Sequence, residues 1–136
     1  MKIAVIDGQG GGIGKTVVEK LCKELPENAD IIALGTNAQA TVAMLKAGAN
    51  EGATGENAIL YNAGRVDIIV GTVGILVANA MMGELTPAMA AAVASSSAKK
   101  VLIPLNRCNI EIAGIRNEPL PYYIDDAVSI VRNLMK

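Results

Sequence analysis

The 136-residue chain contains no histidine, phenylalanine or tryptophan, and only three tyrosines and two cysteines. The absence of histidine excludes a histidine-based zinc site and a serine–histidine–aspartate triad. Cys22 and Cys108 show neither disulfide nor metal-ligand spacing, and without a histidine to activate it Cys108 is expected to be a buried or idle thiol rather than a nucleophile. Because aromatic residues are so few, the core is predicted to consist of closely packed Ala, Val, Ile, Leu and Met side chains.

Charge of either sign is also scarce, with twelve basic and thirteen acidic residues and a formal net charge of −1. There is no long basic run, so nothing supports electrostatic binding of nucleic acid. The uncharged stretch 68–83 is shorter than the roughly twenty residues of a membrane helix, and the apolar run after Met1 is too short for a signal-peptide core. We therefore expect one cytoplasmic domain over residues 1–136, with neither a nucleic-acid nor a membrane partner.

Strand-like and helix-like patterns alternate along the chain. Short apolar runs predict strands at residues 2–7, 30–35, 67–74 and 99–106, with 110–115 as a further candidate and a brief strand left open within 49–55. Helical spacing predicts helices at 12–25, 38–48, 56–64, 86–98 and 124–136. Such alternation forces parallel pairing. The fold predicted is α/β: a single-domain, doubly wound, Rossmann-like, mostly parallel sheet of about five strands with helices on both faces.

The loop between the first predicted strand and helix, "IDGQGGGIGKT" (residues 6–16), holds five glycines. In an open α/β sheet this loop lies at the ligand crevice, and free amides at a helix N-terminus attract anions. We therefore expect the loop to bind the phosphates of a nucleotide. The candidate binding residues are Asp7, Gly8, Gln9, Gly10, Gly11, Gly12, Ile13, Gly14, Lys15 and Thr16.

Two phosphate-loop patterns overlap in this stretch. Gly14, Lys15 and Thr16 fit the end of the P-loop G-x-x-x-x-G-K-[ST], whose first glycine falls on Gln9. This match is partial. It keeps open an alternative in which Lys15 and Thr16 help to bind ATP or GTP with magnesium.

The second pattern is the loop T-G-x-x-x-G-I-G of the short-chain dehydrogenases/reductases. Gly8, Gly12, Ile13 and Gly14 match it in register, with Asp7 in place of threonine. Residues 1 to about 37 thus resemble the cofactor-binding start of that family, which implies NAD or NADP as the cofactor. Because the family's Tyr-x-x-x-Lys is absent, no hydride transfer is assigned. The whole chain resembles small bacterial Rossmann-like proteins of unknown function.

Several candidates have two possible roles. Asp7 either caps the amides of its own loop or assists phosphate binding through a cation, with catalysis a more remote role. Thr36 and Asn37 end the second strand and either bond a ribose or cap the next helix. Arg107 either pairs with a ligand phosphate or carboxylate or bridges to a surface acid.

Further candidates for the crevice follow the later strands: Gly71, Thr72, Gly74, Asn106 and Arg107. A third possibility is that the loop is empty and the chain is a non-catalytic scaffold or regulator. Because apolar side chains are abundant, we expect a homodimer or larger homo-oligomer, with the segment containing Met81, Met82 and Met89 at or near the interface.

Overall fold

The computed structural model describes residues 1–105 and 109–136. Strands and helices alternate along these residues. The strands are β1 (Lys2–Asp7), β2 (Asp30–Gly35), β3 (Glu51–Thr54), β4 (Ile68–Thr72) and β5 (Lys99–Ile103). The α-helices are α1 (Gly12–Glu24), α2 (Ala38–Lys46), α3 (Glu56–Ala63), α4 (Pro87–Ser95) and α5 (Leu120–Leu134), and a 3-10 turn, Val73–Leu76, follows β4.

The five strands form one parallel sheet in the order β3-β2-β1-β4-β5. Ile3 of β1 pairs with Ile31 on one side and with Ile68 on the other. The chain winds outward from β1 to β3 and then crosses back to β4, so the winding direction reverses between β1 and β4. The doubly wound α/β prediction is confirmed, and the reversal marks where a ligand crevice belongs in such sheets.

The core is aliphatic on both faces of the sheet. Successive side chains of β1 alternate between the faces: Ile3 and Val5 pack with α1 and α5, whereas Ala4 and Ile6 pack with α3 and α4. The fixed strand β1 therefore holds the loop that follows it in a defined position. No helix of the described residues is long and apolar enough to cross a membrane.

Three sequence-based boundaries need correction. Residues 110–115 were expected to form a strand, but they are irregular, because Asn109 and Gly114 have left-handed φ angles of 54° and 85° that interrupt extended backbone. The possible short strand within 49–55 is present as β3. It is an exposed edge strand, and its sequence lacks the apolar alternation that would predict a strand. Helix α5 begins at Leu120 rather than at residue 124, with a proline in its first turn.

Candidate functional site

A crevice of about 250 Å³ lies where the winding reverses, between the ends of β1 and β4. Its walls come from the loop after β1, the turn after β4 and residues 77–85, which we call the flap. The lining residues are Asp7, Gly8, Gln9, Ile13, Thr72, Gly74, Ala80, Met81, Met82 and Leu105. Of the candidates after β4, Thr72 and Gly74 line the crevice, whereas Gly71 packs against Ile75 and the carbonyl of Ile6.

Asp7 caps its own loop from a buried position. Its Oδ1 accepts the amide of Gly8 at 2.8 Å, and its Oδ2 accepts the amide of Gly14 at 2.7 Å. Burial raises the pKa of this carboxyl group above its ordinary value. The hydrogen bonds from the amides of Gly14 and Gly8 lower the pKa, but the effect of burial is larger. The structure thus shows the capping role, and the amides of Gly8 and Gly14 are committed to it.

Three glycines of the loop are required by the fold itself. A Cβ on Gly8 would lie 2.4 Å from Thr36 Oγ1, and one on Gly14 would lie 2.8 Å from Asp7 Cβ. Gly11 has a φ of 75°, and its Cβ would lie 2.7 Å from the Cα of Ala40. Together with Asp7 these glycines form what we call the bonded set: Asp7, Gly8, Gly11 and Gly14.

Gly10 and Gly12 differ from these three. Neither has a left-handed φ, and a Cβ at either position would meet no atom within 4 Å. The amides of Gly10, Gly12 and Ile13 have no hydrogen-bond acceptor in residues 1–105 and 109–136, and Lys15 is exposed without an ion-pair partner there. We call these residues the open set: Gly10, Gly12, Ile13 and Lys15. Thr16, beside them, donates its hydroxyl to the carbonyl of Gly12 at 3.1 Å.

Glu84 on the flap bonds to the candidate residues Gln9, Thr36 and Asn37, and the sequence did not lead us to expect it there. Its Oε1 accepts the amide of Gln9 at 2.8 Å, the hydroxyl of Thr36 at 2.7 Å and the side-chain amide of Asn37 at 2.8 Å. The bond from the Gln9 amide, followed by that from Thr36, lowers the pKa of Glu84. One signal was available: Glu84 is the lone charged residue between the uncharged stretches 68–83 and 85–98.

The engagement of Thr36 and Asn37 by Glu84 bears on their two predicted roles. Asn37 caps α2, because its Oδ1 accepts the amide of Ala40 at 2.9 Å. Its Nδ2 donates to both Glu84 and the carbonyl of Gln9. Both side chains are therefore bonded within the protein at the position where a ribose was expected.

The flap has an unusual backbone. Asn79, Met81 and Met82 have φ angles of 67°, 58° and 57°, a left-handed conformation that costs roughly 1–2 kcal/mol for an L-residue with a side chain. Backbone bonds from Asn79 to the carbonyl of Leu85 and from Leu85 to that of Ala80 close the segment on itself. Buried Ala80 and Leu85 anchor it, while Met82 is 95% exposed. The flap is thus a strained loop fixed at its base.

A second cavity of about 450 Å³ adjoins the crevice at Leu105, which lines both. Its outer wall is the irregular segment 110–118, which Tyr123 of α5 holds in place: the tyrosine hydroxyl accepts the amide of Glu118 at 3.0 Å and donates to the carbonyl of Arg116. The lining mixes aliphatic residues, among them Ile110, Ile112, Ile115 and Leu120, with charged ones, namely Glu111, Arg116 and Glu118.

Some of the candidates predicted from the sequence lie elsewhere. Asn106, Arg107 and Cys108 lie outside the described residues. Cys22 is exposed on α1, away from the crevice lining. Across the described ranges, no group of three or more Cys, Asp or Glu residues could hold a metal ion.

The family of the chain follows from its sequence match. The model of the domain of unknown function DUF3842 matches residues 2–136. The chain belongs to this family. The expected membership of an uncharacterised family is thereby confirmed, whereas the resemblance of the N-terminal part to short-chain dehydrogenases/reductases finds no support. No curated protein matches the chain.

A solved structure shares the fold. It is a dodecameric FMN-dependent Ubix-like decarboxylase from Escherichia coli O157:H7, with a TM-score of 0.54 and 15% identity, over 99% of this chain and 94% of that chain. At this identity the likeness shows the fold alone.

The cofactor expectation requires correction. NAD or NADP, and the alternative of ATP or GTP with magnesium, are wrong, since the structural neighbour depends on FMN, a flavin. The geometry gives a physical reason for abandoning the dinucleotide pattern: its glycines Gly8 and Gly14 give their amides to Asp7, and Thr36 bonds Glu84. In the observed conformation these groups are taken by the protein's own carboxylates.

Proposed function

We propose that this protein binds flavin mononucleotide in the crevice between β1 and β4, with the FMN phosphate on the open set. The observation that carries the proposal is the freedom of Gly10 and Gly12. Neither packing nor backbone conformation requires glycine there, and the neighbouring amides lack acceptors within the described chain. A glycine that the fold does not need is accounted for if a ligand approaches its backbone closely.

The phosphate is matched by charge and by donors. The amides of Gly12 and Ile13 belong to the first turn of α1, where the positive end of the helix dipole favours an anion. Lys15 adds a flexible ammonium group in the same turn. These groups resemble an anion site at a helix N-terminus, supplemented by one cation.

The flavin ring system is matched by the apolar walls. Ile13, Ala80, Met81, Met82 and Leu105 line the crevice, and methionine sulfur makes favourable contacts with aromatic rings. The crevice alone is small for a nucleotide. A second cavity of about 450 Å³ shares Leu105 with it, and a cavity of that size falls within the roughly 300–1,000 Å³ of typical ligand sites.

The two carboxylates near the loop are compatible with a bound anion. Asp7 is the one acid among the described lining residues of the crevice, and burial favours its neutral form. Glu84 is not among the described residues that line the crevice, and its carboxylate accepts hydrogen bonds from Gln9, Thr36 and Asn37. No reaction is part of the proposal, because the described residues of the crevice contain no nucleophile with an activating base.

Quenching of flavin fluorescence tests the proposal. We expect FMN to bind saturably. Riboflavin, which lacks the phosphate, should bind at least about tenfold more weakly, because it loses the charge-assisted hydrogen bonds to the phosphate. Gly12→Val should weaken FMN binding about tenfold or more with little change in the thermal midpoint, because a Cβ at this position meets no atom within 4 Å in the free protein.

Gly64→Val is the matched control, since Gly64 also has no neighbour within 4 Å and no left-handed φ but lies at the end of α3. Its FMN affinity should equal that of the wild type. Absence of saturable FMN binding, equal affinity for riboflavin, or an unchanged affinity of Gly12→Val would each overturn the proposal.

The proposal includes self-association through the flap. Met82 is a large apolar side chain that is 95% exposed, and the structural neighbour is described as dodecameric. Met89 lies in the core and is not available for an interface. The proposed interface therefore includes Met82 and half-buried Met81 only. Closed symmetric assembly is the usual way to cover such a side chain.

Light scattering at micromolar concentration measures the assembly. We expect a mass above the 14.0 kDa of one chain, and a lower mass for Met82→Glu. Val42→Glu, which places the same charge on an apolar residue of α2 that is 46% exposed, should assemble like the wild type. A 14.0 kDa wild-type species, or dissociation by Val42→Glu instead of Met82→Glu, would contradict this part of the proposal.

A further inference from the structure

The hydrogen bonds around Glu84 are those of an anion site. Three donors of different origin converge on one carboxylate oxygen: the backbone amide of Gln9, the hydroxyl of Thr36 and the side-chain amide of Asn37. Their distances to Glu84 Oε1 are 2.8, 2.7 and 2.8 Å. Converging neutral donors of this kind bind an anionic oxygen strongly, whether it belongs to a protein side chain or to a ligand.

The donors are held in place independently of Glu84. Asn37 is fixed by capping α2 and by its bond to the carbonyl of Gln9. The backbone amide of Thr36 donates to the carbonyl of Asp7 at 3.0 Å, which ties it to β1. The cradle of donors therefore persists when the carboxylate leaves.

The flap that carries Glu84 has few polar contacts with the loops it covers. In residues 1–105 and 109–136, the Glu84 carboxylate accepts every hydrogen bond that joins the flap to the loops after β1 and β2. Three of its non-glycine residues, Asn79, Met81 and Met82, have left-handed φ angles, so the closed conformation stores strain that opening can relieve.

We propose that Gln9, Thr36 and Asn37 form a second anion site, which Glu84 occupies in the free protein and which the phosphate group of a ligand takes over as the flap moves away. The exchange replaces three hydrogen bonds to the carboxylate with three to the phosphate and changes no covalent bond. The site uses none of the residues of the open set and does not rest on FMN binding, although the flap that moves also carries Ala80, Met81 and Met82 of the crevice wall. It fits a second, phosphate-bearing ligand beside the crevice.

Calorimetry with inorganic phosphate tests the proposal in the intact chain. Glu84→Ala removes the internal competitor, so it should bind phosphate about tenfold tighter than the wild type. Glu56→Ala is the matched control, because Glu56 is an exposed acid that accepts one hydroxyl, that of Thr86. It removes the same charge and should leave phosphate affinity within about twofold of the wild type, as expected for a screened surface charge.

Two background variants locate the phosphate. In the Glu84→Ala protein, Thr36→Val should abolish the gain in affinity, because it removes one donor at nearly constant shape. Gly12→Val should leave the gain intact. A gain removed by Gly12→Val and not by Thr36→Val would place the phosphate on the open set and overturn the second site, while leaving the FMN proposal standing.

A conservative variant guards against loss of folding in Glu84→Ala. Glu84→Gln keeps the side-chain shape but removes its charge, so it should bind phosphate more tightly than the wild type and less tightly than Glu84→Ala. Hydrogen exchange gives a further readout: saturating phosphate should speed exchange of flap amides in the wild type. Equal phosphate affinity of the Glu84 and Glu56 variants, or unchanged flap exchange, would overturn the proposal.

Discussion

The bonded set and the open set lie within the nine consecutive residues 7–15, yet they differ in the space around their glycines and in the bonding of their amides. The glycines of the bonded set are forced by contacts at 2.4–2.8 Å or, at Gly11, by a φ of 75°, and the amides of Gly8 and Gly14 are capped by Asp7. Gly10 and Gly12 of the open set have no such contact, and no acceptor reaches their amides within the described residues.

The difference separates folding from function within one motif. Gly11 and Gly14 let α1 pack closely against α2 and β1, and Gly8 leaves room for Thr36 and for Met81 of the flap. The fold alone does not explain why glycines also occupy positions 10 and 12. Matched substitutions in the two sets therefore test whether the bonded set serves folding and the open set serves binding.

The largest expected effect concerns stability of the bonded set. Gly11→Ala forces a side chain into a left-handed residue and against the backbone of Ala40, which should lower the free energy of unfolding by about 2–4 kcal/mol. Gly12→Ala should change it by less than about 0.5 kcal/mol, because the new methyl group points into open space. Urea unfolding measures both, and equal losses in the two variants would erase the distinction between the sets.

A smaller effect is expected at Asp7. Asp7→Asn keeps one acceptor oxygen but turns an NH₂ group toward an amide, so one of Gly8 and Gly14 loses its bond. This should cost about 1–3 kcal/mol. The folded-state pKa of Asp7 is raised, so its contribution is fully present below the ordinary pKa and falls as pH rises through the raised pKa.

The pH dependence follows from that sign. The stability advantage of the wild type over Asp7→Asn should be largest in acid and should shrink toward neutral pH. Urea unfolding of both proteins across this range measures the difference. An advantage that grows with pH would mean that the ionised carboxylate is the form favoured by the fold, contrary to the burial that dominates its pKa.

Much of the fold was predictable because its signals are local. Buried parallel strands such as β1 and β4 are apolar runs, and Thr86 with Pro87 marks the start of α4 in both sequence and structure. The edge strand β3 has no such run, since its side chains are mostly exposed. The apolar residues at 110–115 misled the prediction, because periodicity alone does not reveal a left-handed residue at Asn109.

The position of the candidate loop was predictable, but its hydrogen bonds were not. The glycine pattern located the loop at the crevice, since that location depends only on the order of β1 and α1. Glu84 was not predictable, because its partners Gln9 and Thr36 lie 75 and 48 residues away and are brought to it by the closed flap. Nor does a motif specify which of its amides a neighbouring carboxylate has already taken.

Amide chemical shifts during an FMN titration test the central claim most directly. In a two-dimensional nitrogen–proton spectrum of the intact chain, the amides of Gly10, Gly12 and Ile13 should shift most, because they gain a phosphate acceptor. The amides of Gly8 and Gly14 should move less, since Asp7 already holds them. Shifts confined to Gly8 and Gly14, or to residues remote from the crevice, would contradict the assignment of the open set as the ligand site.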